Sequence, residues 1–166
     1  MTKKWEKSGE RSYTFSINDR ETGVLALFPN TLESKATATI GKDTFTIKRT
    51  GFWKSSIEIS DAQGQTVAKV YHEKWYNNSF VLEYAGKTYK LLMRNNPLAE
   101  WAILEDDAVL LAYGLDTANG KAALKITAGK VDSDPLLDFL LWYLFLPVAA
   151  ENCGDDFVFF LLLVAQ

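Results

Sequence analysis

The sequence predicts a mainly β fold, an antiparallel sandwich or barrel, that encloses one hydrophobic helix near the C-terminus. Apolar and polar residues alternate with a period of two from Tyr13 to Ala128, which is typical of strands with one buried face. Turn-forming residues separate these runs about every ten residues, as in all-β domains. The chain after Lys130 contains long apolar stretches instead, and a helix that is apolar on every side has to be enclosed.

The alternating runs, taken in order, are rich in the Thr, Tyr, Phe and Ile residues that suit a pleated surface. They include Tyr13–Ile17, Thr44–Lys48, Ser56–Ser60, Phe80–Tyr84, Tyr89–Met93, Trp101–Ile103 and Leu124–Ile126. Turns are predicted at Asn18–Arg20, Gly41–Asp43, Asp61–Gly64, Ala85–Lys87, Glu105–Asp107 and Ala118–Gly120. About eleven strands can be counted in this way.

The two ends of the chain differ from this body. Residues 1–11 hold charged and polar residues around a single Trp, and we expect a flexible N-terminus. The segment Asp132–Pro135 predicts a helix start, and the helix is expected over residues 134–150. A second apolar segment follows at 157–165. Neither segment reaches the roughly 20 residues of a transmembrane helix, so no span is expected.

Composition narrows the function classes. The 166 residues suit a single domain, and one Cys and one His exclude an internal disulfide and Cys/His metal clusters. We therefore expect no metal ion and no cofactor. The net charge of −3 argues against nucleic-acid binding. The N-terminus lacks the apolar run of a secretory signal, and this predicts a cytoplasmic location.

An antiparallel body followed by one intensely hydrophobic C-terminal segment resembles the tubby C-terminal-like superfamily, which includes the LURP-one-related proteins and the phospholipid scramblases. The resemblance implies a closed barrel of about twelve strands around a buried C-terminal helix, over residues 1–166. Here the chain has two apolar tail segments where the family pattern has one. We favour residues 134–150 as the central helix and 157–165 as a closing segment, the alternative being that the last segment threads the barrel.

The best candidate binding site is the basic and aromatic run Lys48, Arg49, Phe52, Trp53 and Lys54. Its cations are suited to a phosphate group, and its two rings are suited to a membrane interface. Tubby domains bind phosphoinositides through a basic pocket, so the resemblance implies an anionic lipid headgroup as ligand. The sequence thus predicts a non-enzymatic binding or scaffold module, peripheral to a membrane or bound to a protein partner. Solvated lysines beside a barrel end are the simpler interpretation of the same run.

Two other function classes stay open. A β-barrel carrier of a small apolar ligand would need an empty lumen, which a central helix would fill. A hydrolase or isomerase would have to use His72, although Glu73 should face the opposite side of its strand. No catalytic residue is predicted. Asp138 is unusual, because a carboxylate inside an apolar helix must be paired or protonated if it is buried.

Overall fold

Twelve β-strands followed by one α-helix form the described part of the chain in the computed structural model. The structure describes residues 1–28, 35–51, 53, 55–74, 78–95, 98–118, 121–129 and 134–153. The strands are β1 (Lys3–Lys7), β2 (Ser12–Ile17), β3 (Arg20–Phe28), β4 (Lys35–Ile40), β5 (Asp43–Thr50), β6 (Ser56–Ser60), β7 (Thr66–His72), β8 (Ser79–Tyr84), β9 (Lys87–Asn95), β10 (Ala99–Glu105), β11 (Ala108–Ala118) and β12 (Lys121–Ala128). The helix α1 spans Pro135–Cys153.

The strands form one sheet in which each strand pairs with its neighbours in sequence. Every pairing is antiparallel. Irregularities in the β2–β3, β6–β7 and β10–β11 ladders help such a sheet to bend. Within the described ranges β1 pairs only with β2, and β12 only with β11. The predicted barrel is confirmed, but it is nearly closed rather than closed.

The helix α1 lies inside this barrel. Every residue from Leu136 to Leu146 is buried, and the helix contacts β4 as well as β10 and β11. The Trp142 ring stacks on Trp5 of β1 with the ring centroids 4.9 Å apart. The Phe139 ring meets Phe15 of β2 edge-on at 5.7 Å. A helix that is buried on every side and contacts strands from both halves of the sheet is enclosed by it, as its apolar composition predicts.

Close packing between α1 and the sheet constrains one glycine. A Cβ added at Gly23 would overlap the Thr39 carbonyl oxygen and lie 3.0 Å from Phe139 Cζ. The position therefore has no room for a side chain, and the ring of Phe139 packs directly against the backbone of β3.

The helix begins at the predicted cap. Asp134 Oδ1 accepts a hydrogen bond from the Leu136 amide at 2.9 Å, and Pro135 occupies the first helical position. This arrangement satisfies a free amide at the helix start. The helix contains Pro147 and continues to Cys153, so it begins one residue later and ends three residues later than the predicted 134–150. The segment 157–165, predicted to close the barrel, lies outside the described residues.

The N-terminus differs from the sequence-based expectation. Residues 1–11, predicted to be flexible, contain the strand β1, which pairs with β2 from Lys3↔Ile17 to Lys7↔Tyr13. The Trp5 side chain is fully buried against α1. The strand KKWEK has Trp5 as its single apolar residue, and its other four residues are lysine or glutamate. The sequence therefore shows no alternation of apolar and polar residues here and looks like an exposed tail.

The antiparallel order places alternate connections at opposite ends of the barrel. The β2–β3, β4–β5, β6–β7, β8–β9 and β10–β11 turns lie at the end where α1 begins, since Tyr84 beside the β8–β9 turn donates a hydrogen bond to Asp134. Most of the predicted turns are confirmed there. Asn18, Asp19, Asp106 and Asp107 have positive φ, as tight hairpin turns require. The other connections lie at the end where α1 finishes.

Candidate functional site

The predicted basic and aromatic run lies at the end of the barrel where α1 finishes. Lys48 and Arg49 belong to β5, and Trp53 follows in the β5–β6 connection with 83% of its surface exposed. Phe52 and Lys54 lie outside the described residues. The structure therefore locates three of the five predicted residues near one edge of the barrel.

The two adjacent cations of β5 face opposite sides of the sheet. Arg49 shares the inward face with the buried Ile47, and its guanidinium carbon lies 5.8 Å from the ring centroid of Tyr143 on α1. Burial raises the pKa of the Tyr143 phenol, while Arg49 opposes that rise. Lys48 lies on the outward face opposite Glu58 of β6. Arg49 thus contacts the helix, whereas Lys48 belongs to the outer surface.

The two ends of the barrel differ in charge. At the end where α1 begins, the acidic residues outnumber the basic residues Lys3, Lys4, Arg20, Lys42 and Lys87. We call it the acidic end, and its described carboxylates are Asp19, Glu21, Asp43, Asp61, Glu83, Glu105, Asp106, Asp107, Asp134 and Asp138. At the opposite end the described carboxylates Glu6, Glu10, Glu58, Glu73, Glu100, Asp116 and Glu151 are matched in number by the cations. We call it the basic end, by contrast with the acidic end, and its described cations are Lys7, Arg11, Lys35, Lys48, Arg49, Lys74 and Arg94.

Exposed apolar side chains also concentrate at the basic end. Among the described residues, the large hydrophobic side chains with substantial exposure there are Phe28, Trp53, Tyr71, Met93 and Leu98. Each lies in a connection or within two residues of a strand end. Met1, near the acidic end, is the exception. Of these five residues, only Trp53 belongs to the basic and aromatic run predicted from the sequence. The other four are far apart in the chain, and the sheet brings them to the same end of the barrel.

A buried ion pair links the N-terminal strand to α1. Lys3 Nζ lies 2.9 Å from Asp138 Oδ1 and 2.8 Å from Oδ2, with 3% and 0% of the two side chains exposed. The Tyr113 hydroxyl donates to Asp138 Oδ1 at 2.8 Å and accepts from Trp5 Nε1 at 3.0 Å. Burial raises the pKa of Asp138, against the opposing effects of Lys3 and Tyr113. Enclosure and these three contacts make the carboxylate a structural group without access to a substrate.

The single histidine lies on the inward face near the basic end. The His72 ring packs against Phe80 with the centroids 4.2 Å apart, and its Nδ1 atom is buried without a hydrogen-bond partner in the described part of the chain. The neighbouring Glu73 carboxylate instead accepts a hydrogen bond from the Ser79 hydroxyl at 2.8 Å. The described residues therefore supply no carboxylate that orients His72 for general-base catalysis.

The acidic runs of the sequence serve as turns or lie outside the described residues. Asp106 and Asp107 form the β10–β11 turn with positive φ, and Glu105 pairs with Lys87 at 2.7 Å. Asp155 and Asp156 lie outside the described residues. In the described ranges no three His, Cys, Asp or Glu side chains are grouped to hold a metal ion. The described helix does not combine the length and apolarity needed to cross a bilayer.

Comparison with known proteins gives no family assignment. No protein-family model, curated protein or solved structure matches the chain. The function is therefore inferred from the two ends of the barrel and from the filled lumen, in which α1 occupies the space that a carrier ligand would need.

Proposed function

We propose that the protein is a non-enzymatic binding module whose basic end docks reversibly on an anionic phospholipid surface. One observation carries this proposal: the exposed apolar side chains gather at the end of the barrel that carries Lys48 and Arg49 and lacks the acidic excess of the opposite end. Cations beside exposed aromatic and aliphatic groups suit a membrane interface, where both charge and apolar area contribute to binding. The resemblance to tubby-like barrels is in keeping with a lipid headgroup as ligand.

The difference in charge would orient the barrel before contact. A negatively charged surface attracts the cations of the basic end and repels the acidic end as a whole, so the approach of Trp53 to the membrane is favoured over that of the turns around Asp106. The attraction acts within about one Debye length, roughly 10 Å at 0.1 M salt. Binding should therefore weaken steeply as the salt concentration rises.

The apolar side chains would supply the short-range part of the attachment. Trp53 is the most exposed of the large apolar residues described, at 83%, and tryptophan is enriched at the boundary between headgroups and acyl chains. Phe28 and Leu98 are exposed at the same end. Shallow insertion of these groups requires no transmembrane helix and leaves the barrel intact.

Vesicle flotation of the full chain tests the proposal. Vesicles of phosphatidylcholine alone are compared with vesicles containing phosphatidylserine or a phosphoinositide. We expect binding only to the anionic vesicles, and each lysine near such a surface contributes about 1 kcal/mol. Replacing Lys48→Glu removes one attraction and adds one repulsion, so the partition coefficient should fall about thirtyfold. Lys42→Glu makes the same charge change at the acidic end and should alter binding little.

Tryptophan fluorescence gives an independent measure of the same contact. Anionic vesicles should shift the emission to the blue, and Trp53→Phe should remove most of that shift, because the described Trp5, Trp101 and Trp142 are buried. Absence of binding to every anionic vesicle contradicts the proposal, as does equal weakening by Lys48→Glu and Lys42→Glu. Binding of a protein ligand at the basic end without any vesicle binding would replace the lipid surface with a protein partner.

A further inference from the structure

The mouth of the barrel at the acidic end contains a cavity of about 430 Å³. It lies beside the start of α1, between the β4–β5 and β8–β9 hairpins. Its lining is formed by Ile40, Asp43, Phe45, Val67, Tyr84, Ala85, Asp134 and Leu136. Barrel mouths are common positions for small-molecule sites, since the strands fix the walls and the lining side chains differ from the filled interior.

The lining combines an apolar wall with acidic groups. Ile40, Phe45 and Leu136 supply aliphatic and aromatic surface. The polar side chains are those of Asp43, Asp134 and Tyr84, and none of the lining residues is basic. A concave surface of aromatic rings and carboxylates, without a cation, favours a positively charged ligand that also has an apolar body.

The hydrogen bonds around the cavity fix two of its three polar groups. The Tyr84 hydroxyl donates to Asp134 Oδ2 at 2.8 Å, and Asp134 Oδ1 caps the helix. The phenol is thereby held beside the carboxylate, and burial together with Asp134 raises its pKa, which keeps the ring neutral. Asp43 is exposed at the rim of the cavity, and its carboxylate takes part in none of the ion pairs formed by the described residues. Asp43 is thus the carboxylate left to pair with a ligand.

The neighbouring cavity of about 470 Å³ differs in chemistry, although it shares Val67, Tyr84 and Ala85 with this one. Lys69, Lys87 and Glu83 line it, so both signs of charge are present and no charged ligand is preferred. A metal ion in the first cavity would lack ligands, because the described residues contain no group of three suitable side chains.

We propose that the cavity lined by Phe45, Tyr84, Asp43 and Asp134 binds a small organic cation, an ammonium group carried on an apolar body. The ammonium would lie against the Asp43 carboxylate and the aromatic faces, and the body would contact Ile40 and Leu136. The site is at the opposite end from the proposed lipid surface, so it can be tested without vesicles and can fail independently of the proposed function.

Isothermal titration calorimetry of the full chain with 2-phenylethylammonium tests the site. The control ligand is 2-phenylethanol, which has the same apolar body but no charge. We expect the ammonium to bind and the alcohol to bind at least tenfold more weakly. Asp43→Asn should weaken ammonium binding about tenfold. Asp107→Asn is the control, because it removes one carboxylate from the same end outside the cavity and asparagine tolerates its positive φ of 63°.

Three results would overturn the assignment. The first is no measurable heat and no change in the amide NMR spectrum with 2-phenylethylammonium at millimolar concentration. The second is equal affinity for the alcohol, which would reduce the site to an apolar cavity. The third is equal weakening by Asp43→Asn and Asp107→Asn, which would mean general attraction to the acidic end. Amide shifts that map to Phe45 and Tyr84 and are lost in Asp43→Asn would support it.

Discussion

Removing one partner of the buried pair Lys3–Asp138 should destabilise the fold more than removing one partner of an exposed ion pair such as Lys87–Glu105. Replacing Asp138→Ala leaves the Lys3 ammonium enclosed, with its 2.9 Å and 2.8 Å contacts removed, and it removes the acceptor of the Tyr113 hydroxyl. Breaking one side of a buried pair costs about 3–5 kcal/mol. We therefore expect the free energy of unfolding to fall by about that amount, a large part of the roughly 5–15 kcal/mol typical of a domain.

Urea denaturation followed by circular dichroism measures this loss, and a double substitution identifies its cause. If the loss comes from the enclosed ammonium, Lys3→Met combined with Asp138→Leu should recover most of the stability, because replacing both charges with apolar groups is often neutral or stabilising. A double variant as unstable as Asp138→Ala would refute this reasoning, since the cost would then come from repacking around α1.

The exposed pair Lys87–Glu105 provides a matched control. Its contact distance of 2.7 Å is as short as that of the buried pair, but the two side chains are 62% and 40% exposed. Glu105→Ala should leave the denaturation midpoint almost unchanged, because water and salt screen an exposed pair. Equal effects of Glu105→Ala and Asp138→Ala would contradict the claim that enclosure, rather than distance, determines the cost.

Three further predictions concern the phenols, the helix packing and the helix cap. Burial raises the pKa of Tyr113 well above its usual 10.0, and burial with Asp134 raises that of Tyr84. These phenols ionise first in the unfolded chain, so stability should fall as the pH rises above about 10, and phenolate absorbance at 295 nm should appear together with unfolding. Gly23→Ala should lower the free energy of unfolding by about 1–3 kcal/mol, because the added methyl group clashes with Phe139 and the β4 backbone. Gly9→Ala is the control, since a Cβ added there meets only ordinary contacts. It should cost much less in the same urea titration. Asp134→Ala should lower the free energy of unfolding by about 1 kcal/mol, because it removes the helix cap. Asp134→Asn should keep most of the stability of the original protein, since asparagine also caps helices, and thermal denaturation measures both variants.

Much of the barrel follows from local signals in the sequence. The alternation of β5 and β8 predicts their buried faces, and the asparagine, aspartate and glycine residues between strands predict the tight turns. Asp134 and Pro135 predict the helix start, which the structure confirms through the hydrogen bond to Leu136. These features depend on neighbouring residues, so a sequence pattern can report them.

The features that escaped prediction depend on residues far apart in the chain. The pairing of Lys3 with Asp138 joins residues 135 positions apart, and no local pattern shows that Trp5 and Lys3 belong to a strand. The run of basic residues predicts one site for Lys48 and Arg49, yet the period of the strand places adjacent residues on opposite faces. The alternation expected for His72 and Glu73 thus holds for the two cations of β5 as well.

The filled lumen restricts binding to the surface of the barrel and its ends. A ligand inside the barrel would have to displace α1, and side chains such as Phe139, Trp142 and Phe145 are fully buried there. Exposing each large apolar side chain costs about 1.5–3 kcal/mol, so release of the helix would cost at least as much as the whole stability of a typical domain. Because expelling α1 amounts to unfolding, a ligand that binds the folded protein must approach from outside. The apolar basic end and the acidic mouth are therefore the places where binding can occur without loss of the fold.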